Sequence, residues 1–220
     1  MENGTDFDPA VMFEVAGYQI TETVTTTWVI MVILVVLAIL TTRQLQKVPE
    51  TNFQNIMELV YEGVEWLVDS TMGKENRSYL PYVGTITLYI LIANLTGLIG
   101  VRQPTADLNT TFSLAFITFI LIHASGIKSK GVGGYMRGFL EPLPFLLPLN
   151  IISELAQPFS LAFRLFGNML GAIIIMYLLY SFAPIIIPVV PHMYFDIFAG
   201  VIQTFIFVML TMTYISIAME

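Results

Sequence analysis

Cysteine is absent from this 220-residue chain, which excludes a disulfide framework, a thiol nucleophile and a thiolate metal site. Charge is scarce: Asp, Glu, Lys and Arg make up 11% of the residues, against about 25% in an ordinary soluble domain. The two histidines, His123 and His192, are too few for a His-rich metal centre, and no metal site is expected. Basic residues number nine against sixteen acidic ones, a net charge of −7. A protein built to hold phosphate backbones would lean the other way, so no nucleic-acid partner is expected. Residues 1–24 contain no Lys or Arg, whereas a cleavable signal peptide begins with positive charge, so none is expected. No phosphate-cradling loop of the form GxxxxGK[ST] occurs, so neither an ATP site nor a bound cofactor is expected.

Apolar residues, by contrast, make up 56% of the chain, and mean hydropathy is +0.77. That leaves too little polar surface to wet a soluble sphere. The composition predicts an all-α polytopic membrane protein whose main solvent is the lipid bilayer.

The chain divides accordingly as one membrane domain. Residues 1–24 form a polar, acidic segment. Val24 to Thr42 is a first span, just long enough for the ~20 residues that cross a bilayer. Residues 50–72 carry Phe53, Ile56, Met57, Val60, Val64, Leu67 and Val68 on one helical face and Glu58, Glu62, Glu65 and Asp69 on the other. This is an amphipathic helix, too charged to span, expected at the membrane surface or against a partner. Further spans follow at 79–100, 111–127, 145–180 and 194–219, with a Gly-rich loop at 128–138. The fourth and fifth are expected to form a long tilted hairpin.

Crossings at these positions place Arg43, Lys47, Lys74, Arg77, Lys128, Lys130 and Arg137 on one side and Arg102 on the other. Seven of nine basic residues thus share a face, which the positive-inside rule makes cytoplasmic. The N-terminus is then outside and the C-terminus inside. No internal repeat of the kind found in inverted-repeat transporters is evident.

The ninth basic residue, Arg164, falls in the middle of the fourth apolar stretch. A guanidinium at mid-bilayer costs roughly 2.5–3.5 kcal/mol on insertion scales, and such residues face a partner or a wet cavity. Snorkelling serves residues near helix ends, and Arg164 is far from both. At about 100° per residue, Ser153, Gln157, Ser160, Asn168 and Gly171 fall within roughly 40° of it, with Asn150 joining if the helix continues back past Pro158 and Glu154 on the flank. Gly167 and Gly171 clear the space beside it for another surface. The last helix carries a similar stripe of Asp196, Gly200, Gln203 and Tyr214. A 36-residue helix would be about 54 Å long, so it must tilt or break; two helices joined at Pro158 are the alternative.

Four stretches resemble subunit a of F-type ATP synthases: Leu161 to Met169 (LAFRLFGNM), Pro104 to Thr111 (PTADLNTT), Pro144 to Asn150 (PFLLPLN) and Gln203 to Ser216. They follow the family's order across about residues 25–219. The resemblance implies a membrane stator beside a ring of small subunits (the c-ring), each with an essential carboxylate, held by peripheral-stalk b subunits; a bacterial inner membrane is the default expectation, with an organellar one left open by the residues. It implies two half-channels for H⁺ or Na⁺, with Arg164 as the stator arginine between them. By resemblance Asn168 and Gln203 line the path or hold the arginine, Asp196 is the relay of the outer half-channel, and Asp107 marks its mouth. Glu154, Asn150 and Ser153 line the inner route. Many relatives carry Glu nine residues after the arginine, where this chain has Ile173, which leaves more of the outer route to Asp196. His123 and His192 are expected to be structural or interfacial. A stand-alone channel or transporter gated by Arg164, and an assembly protein using Arg164 as interhelical glue, are the competing readings. The ring would carry the ion ligands, so this chain's residues leave H⁺ and Na⁺ both open.

Overall fold

The computed structural model describes residues 10–15, 17–43, 52–140, 143–182 and 189–220. Five of its helical segments are long and apolar enough to cross a membrane: Glu22–Arg43, Lys74–Ile99, Leu108–Gly138, Pro144–Phe182 and Val190–Met219. Strand β1 (Val11–Val15) and strand β2 (Tyr18–Thr21) pair antiparallel ahead of the first of them. Gly17, with φ +84°, makes their turn, a conformation that suits a residue without Cβ. This hairpin lies within the segment expected to be merely polar.

Helix α1 (Glu22–Arg43) is apolar all round, and Ile30 is its one buried large side chain. Such a helix is stable only in an apolar surround. Two hydroxyl contacts fix it: Thr23 Oγ1 donates to Asp107 Oδ2 at 2.7 Å, and Thr27 Oγ1 lies 3.2 Å from Tyr89 OH.

Helix α2 (Asn52–Met72) is the amphipathic element. One edge buries Val64, Val68 and Met72 in the bundle. Its acidic edge is clamped by Arg77, which lies 2.6 Å from Glu65 Oε1 and 2.5 Å from Asp69 Oδ2. The guanidinium bonded to Asp69 holds that carboxyl below its ordinary range. Ile56, Leu59 and Trp66 stay exposed on a third sector, as suits a helix lying at a bilayer surface.

Helix α3 (Leu80–Leu95) starts with Pro81 in its first turn, where the missing N–H costs nothing. Gly100, at φ +72°, ends the short 3-10 turn Thr96–Ile99. A second such turn, Pro104–Ala106, leads to Asp107, whose side chain caps helix α4 (Leu108–Gly138) by accepting from Asn109 N at 2.9 Å. The residues expected as a Gly-rich loop are a correction to the sequence reading: helix α4 continues to Gly138. Its break is confined to Gly131, at φ +73°. One residue without Cβ absorbs the whole turn, and the flanking glycines remain helical.

Helix α5 (Leu147–Phe182) is continuous through Pro158, so the broken alternative is not what forms. The short turn α6 (Val189–His192) leads through a π-helical segment, Met193–Ala199, into helix α7 (Gly200–Met219). The core joins α3, α4, α5 and α7 through Ile90, Ala93, Ala115, Leu161, Leu165, Phe207 and Met212, all 2% exposed or less. Lipid tails are as apolar as these side chains, so close van der Waals packing holds the helices. At Gly200 a Cβ would stand 3.1 Å from Asn94 Cβ, which shows how closely α3 and α7 approach there.

Candidate functional site

Contacts define two ends of the bundle. At one, Ser129 Oγ on α4 donates to Met219 O at the end of α7, and Tyr79 OH before α3 donates to Met219 Sδ. At the other, the loop 101–107 meets α1 and the π-helical segment. Arg164 lies along α5 between these ends.

The packed side of α5 is Leu161, Ala162, Leu165, Met169, Ala172 and Met176. The polar stripe lies beside it and faces out: Ser153, Ser160, Arg164, Gly167 and Asn168 are exposed on this chain. Among the described residues Arg164 makes no ion pair and no hydrogen bond. A Cβ added at Gly167 or Gly171 would meet nothing within 4 Å, so the flank of the arginine is open space. One turn on, Asn168 Nδ2 donates to Gln203 Oε1 at 2.5 Å, tying α5 to α7. Gln203 is 2% exposed and its Nε2 has no partner, so a donor is held ready beside the arginine's helix.

Seven residues before Gln203, about two turns or 10 Å along the axis, Asp196 sits 5% exposed in the π-helical segment. Such segments set a side chain off the regular helical register. Both carboxylate oxygens are engaged: Gln103 Nε2 donates to Oδ1 at 2.9 Å, and His192 Nδ1 lies 2.5 Å from Oδ2. Tyr180 OH, at the end of α5, lies 2.7 Å from His192 Nε2. Gly97 makes room: a Cβ there would stand 2.4 Å from Gln103 Nε2 and 2.6 Å from Asp196 Oδ1. Beneath lies the fully buried Asn94, whose Nδ2 donates to Gly200 O and Thr204 Oγ1 and whose Oδ1 accepts from Thr105 Oγ1 at 2.7 Å.

At the opposite end, a cleft of about 290 Å³ opens between α4, α5 and α7, lined by Lys130, Tyr135, Asn150, Ser153, Glu154 and Gln157 among others. It brings together the three residues expected on the inner route. Gln157 Nε2 donates to Glu154 Oε2 at 2.8 Å, and Asn150 Nδ2 donates to Phe139 O at 2.9 Å. Tyr135 folds back past Gly131 onto Gly126, where a Cβ would stand 2.4 Å from its ring, and its OH reaches His123 Nδ1 at 2.6 Å.

The expected residues therefore fall into three groups along the bundle: Asn150, Ser153 and Glu154 in the cleft, Arg164 with Asn168 and Gln203 midway, and Asp196 at the far end. Asp107 stands apart from Asp196's hydrogen bonds; it is buried as the cap of α4 and the acceptor from Thr23. His192, expected to be structural or interfacial, is a direct neighbour of Asp196. That pair was visible as a four-residue spacing, whereas the approach of Gln103 from 93 residues away was not.

The family model "ATP synthase A chain" matches residues 24–216. Subunit a of the ATP synthase of Moorella thermoacetica is 40% identical over 213 residues, covering 96% of this chain and 97% of that one. A subunit a described as sodium ion specific, from Propionigenium modestum, is 37% identical over 217 residues, covering 91% of this chain and 75% of that one. Subunit a 1 of Pelobacter propionicus is 41% identical over 199 residues, covering 88% and 86%. A bundle of five apolar helices, an arginine on its open flank without an ion pair among the described residues, and matches of this extent lead to one conclusion: the chain belongs to the ATP synthase subunit a family, the multi-pass, non-catalytic subunit that carries ions through the membrane sector.

Proposed function

We propose that Arg164 is the fixed charge past which a c-ring carboxylate is driven, and that the polar groups above and below it are two half-channels. The observation that carries this reading is the exposed guanidinium on α5, unpaired among the described residues and flanked by the open surface at Gly167 and Gly171. A charge held in lipid without a partner costs several kcal/mol, and a moving carboxylate would supply that partner.

A guanidinium stays protonated in proteins, and a cation within a few Å favours the ionised form of a carboxylate. A ring carboxylate arriving opposite Arg164 releases its ion, and the fixed charge bars a cation from slipping directly between the channels. The cleft with Asn150, Ser153 and Glu154 is the inner half-channel. Asp196 is the relay of the outer one, with Asp107 near its mouth, and Asn168 and Gln203 hold the surface beside the arginine. The membrane potential supplies about 2.3 kcal/mol per charge per 100 mV. Peripheral-stalk b subunits keep the chain from turning with the ring. The membrane is the bacterial inner membrane, with the N-terminus outside and the C-terminus in the cytoplasm, as the basic residues at the Lys130 end favour.

Replacement Arg164→Gln tests this. The variant complex assembles, because among the described residues the side chain makes no hydrogen bond or ion pair that folding would lose, yet ATP synthesis and ATP-driven ion pumping are lost. Failure of the variant to assemble refutes the reading in favour of interhelical glue, and ion flux through the purified chain without the ring refutes it in favour of a stand-alone channel.

A further inference from the structure

We infer that His192, with Tyr180, is the group that loads Asp196 from the outer side, and that it loads it with a proton. This rests on Asp196 being the outer relay, as proposed above, and adds a residue and an ion to it.

The geometry is a chain of three titratable groups: Tyr180 OH to His192 Nε2 at 2.7 Å, and His192 Nδ1 to Asp196 Oδ2 at 2.5 Å. Its burial is graded. Tyr180 is exposed, the His192 side chain is 30% exposed and the Asp196 side chain 7%. The chain therefore runs from the exposed end of the site to its buried end. His192 ends α6 and Asp196 follows four residues later in the π-helical segment, while Tyr180 reaches His192 from α5, the helix that carries Arg164. The loop before α4 contributes Gln103, which touches Asp196, and its neighbour Arg102 is half-buried.

Each transfer balances. A hydronium ion at the exposed edge gives its proton to the Tyr180 oxygen as the Tyr180 O–H hydrogen passes to His192 Nε2, leaving water, a neutral tyrosine and the imidazolium. The Nδ1–H bond breaks and the O–H bond of Asp196 Oδ2 forms, leaving a neutral imidazole with its hydrogen on Nε2 and a neutral carboxylic acid. The donor tautomer returns by exchange of the imidazole hydrogen with water. Imidazole is suited to this step because its ordinary pKa lies near neutrality, and a positioned acid–base group is worth a factor of 10²–10⁴ or so in a proton-transfer step.

The same geometry argues against a metal cation. Sodium binds through oxygen lone pairs, yet the Asp196 oxygens face a nitrogen donor each, Gln103 Nε2 and the imidazole Nδ1–H. With Gln103 Oε1, buried beside them without a partner, the cluster offers three side-chain oxygens, two of them already accepting hydrogen bonds, too few to replace the water shell of an ion.

The experiment uses the assembled ATP synthase in membrane vesicles, driven by an acid–base jump across a range of entry-side pH. Rates are normalised to assembled complex, with and without sodium. Asp196→Asn loses ATP synthesis at every pH. His192→Ala lowers the rate about tenfold, flattens its dependence on entry-side pH, and recovers when free imidazole is added. His192→Gln, which keeps a polar side chain, repeats the loss without recovery and keeps the test sound if the alanine variant assembles poorly. Tyr180→Phe gives a smaller loss, and sodium changes none of these rates. A His192→Ala complex with the rate and pH profile of the wild type overturns this inference alone. So does a loss with an unchanged pH profile and no imidazole rescue, which marks a structural role. Synthesis driven by a sodium gradient without a pH gradient overturns the choice of ion, and a fully active Asp196→Asn complex overturns the relay beneath it.

Discussion

Asn94 offers the sharpest test of how the outer cluster is held. Its side chain makes three hydrogen bonds, to Gly200 O at 3.0 Å, to Thr204 Oγ1 at 3.2 Å and from Thr105 Oγ1 at 2.7 Å. Asn94→Ala removes all three, but their loss is unequal. Thr204 Oγ1 also donates to Gly200 O at 2.8 Å, so those two groups keep a partner, and only the Thr105 hydroxyl is orphaned. Side-chain hydrogen bonds between membrane helices average about 0.6 kcal/mol, so three give about 2 kcal/mol. The orphaned hydroxyl brings the expected loss to about 2–3 kcal/mol. Thr105→Val removes one bond and leaves Asn94 Oδ1 without a donor, for about 1 kcal/mol. Because the two side chains touch, the losses must not add: the double variant should recover about 0.6–1.7 kcal/mol of coupling. SDS titration of the chain in detergent micelles, followed by loss of helical signal, measures all four corners of the cycle. Additivity within about 0.3 kcal/mol would show that this bond does not hold the loop to α3.

Three further outcomes follow from the same geometry. Gly97→Ala puts a methyl within 2.4 Å of Gln103 Nε2 and 2.6 Å of Asp196 Oδ1; the complex should assemble but pump at least several-fold more slowly, and an unchanged pumping rate would show that the Gln103–Asp196 contact is dispensable. Glu154→Gln keeps the shape of the inner cleft and removes its carboxylate, so pumping should fall while the passive stability of the complex holds; equal loss of both would assign Glu154 to packing. Asp69 is held below its ordinary range by Arg77, so its contribution is present above the unfolded carboxyl value and is lost as pH falls through the lower folded one. Amide exchange on α2 should therefore quicken under strongly acid conditions, and Arg77→Gln should show the same quickening already at neutral pH.

The spans, the amphipathic helix and the Arg164 stripe were legible because hydropathy and the 3.6-residue period act locally. An arginine amid apolar residues stands out for the same reason. Residues 11–21 leave only a weak trace because the hairpin has strands of just five and four residues inside a segment whose acidic residues dominate its reading. The glycines at 131–138 read as a loop, but only Gly131 leaves the helical region; Gly133 and Gly134, though exposed, stay helical in the turn that seats Tyr135 against Gly126. The role of His192 leaves little trace in the sequence because its partner Tyr180 lies twelve residues away on another helix. The network of Gln103, Thr105 and Asn94 was invisible for the same reason: side chains brought together by a loop that re-enters the bundle leave no periodic signal.

Pro158 has a mechanical consequence. A proline has no N–H, so in the unbroken α5 the carbonyl of Glu154 loses its partner four residues on. Six residues, about 9 Å of helix, separate this missing rung from Arg164. The longest rod in the molecule thus has an elastic joint just below its charge. The part beyond the joint, which buries Leu161, Leu165 and Met169 and carries the charge, stays seated against its neighbours as each load passes, while the part before it, with no buried side chain, can yield.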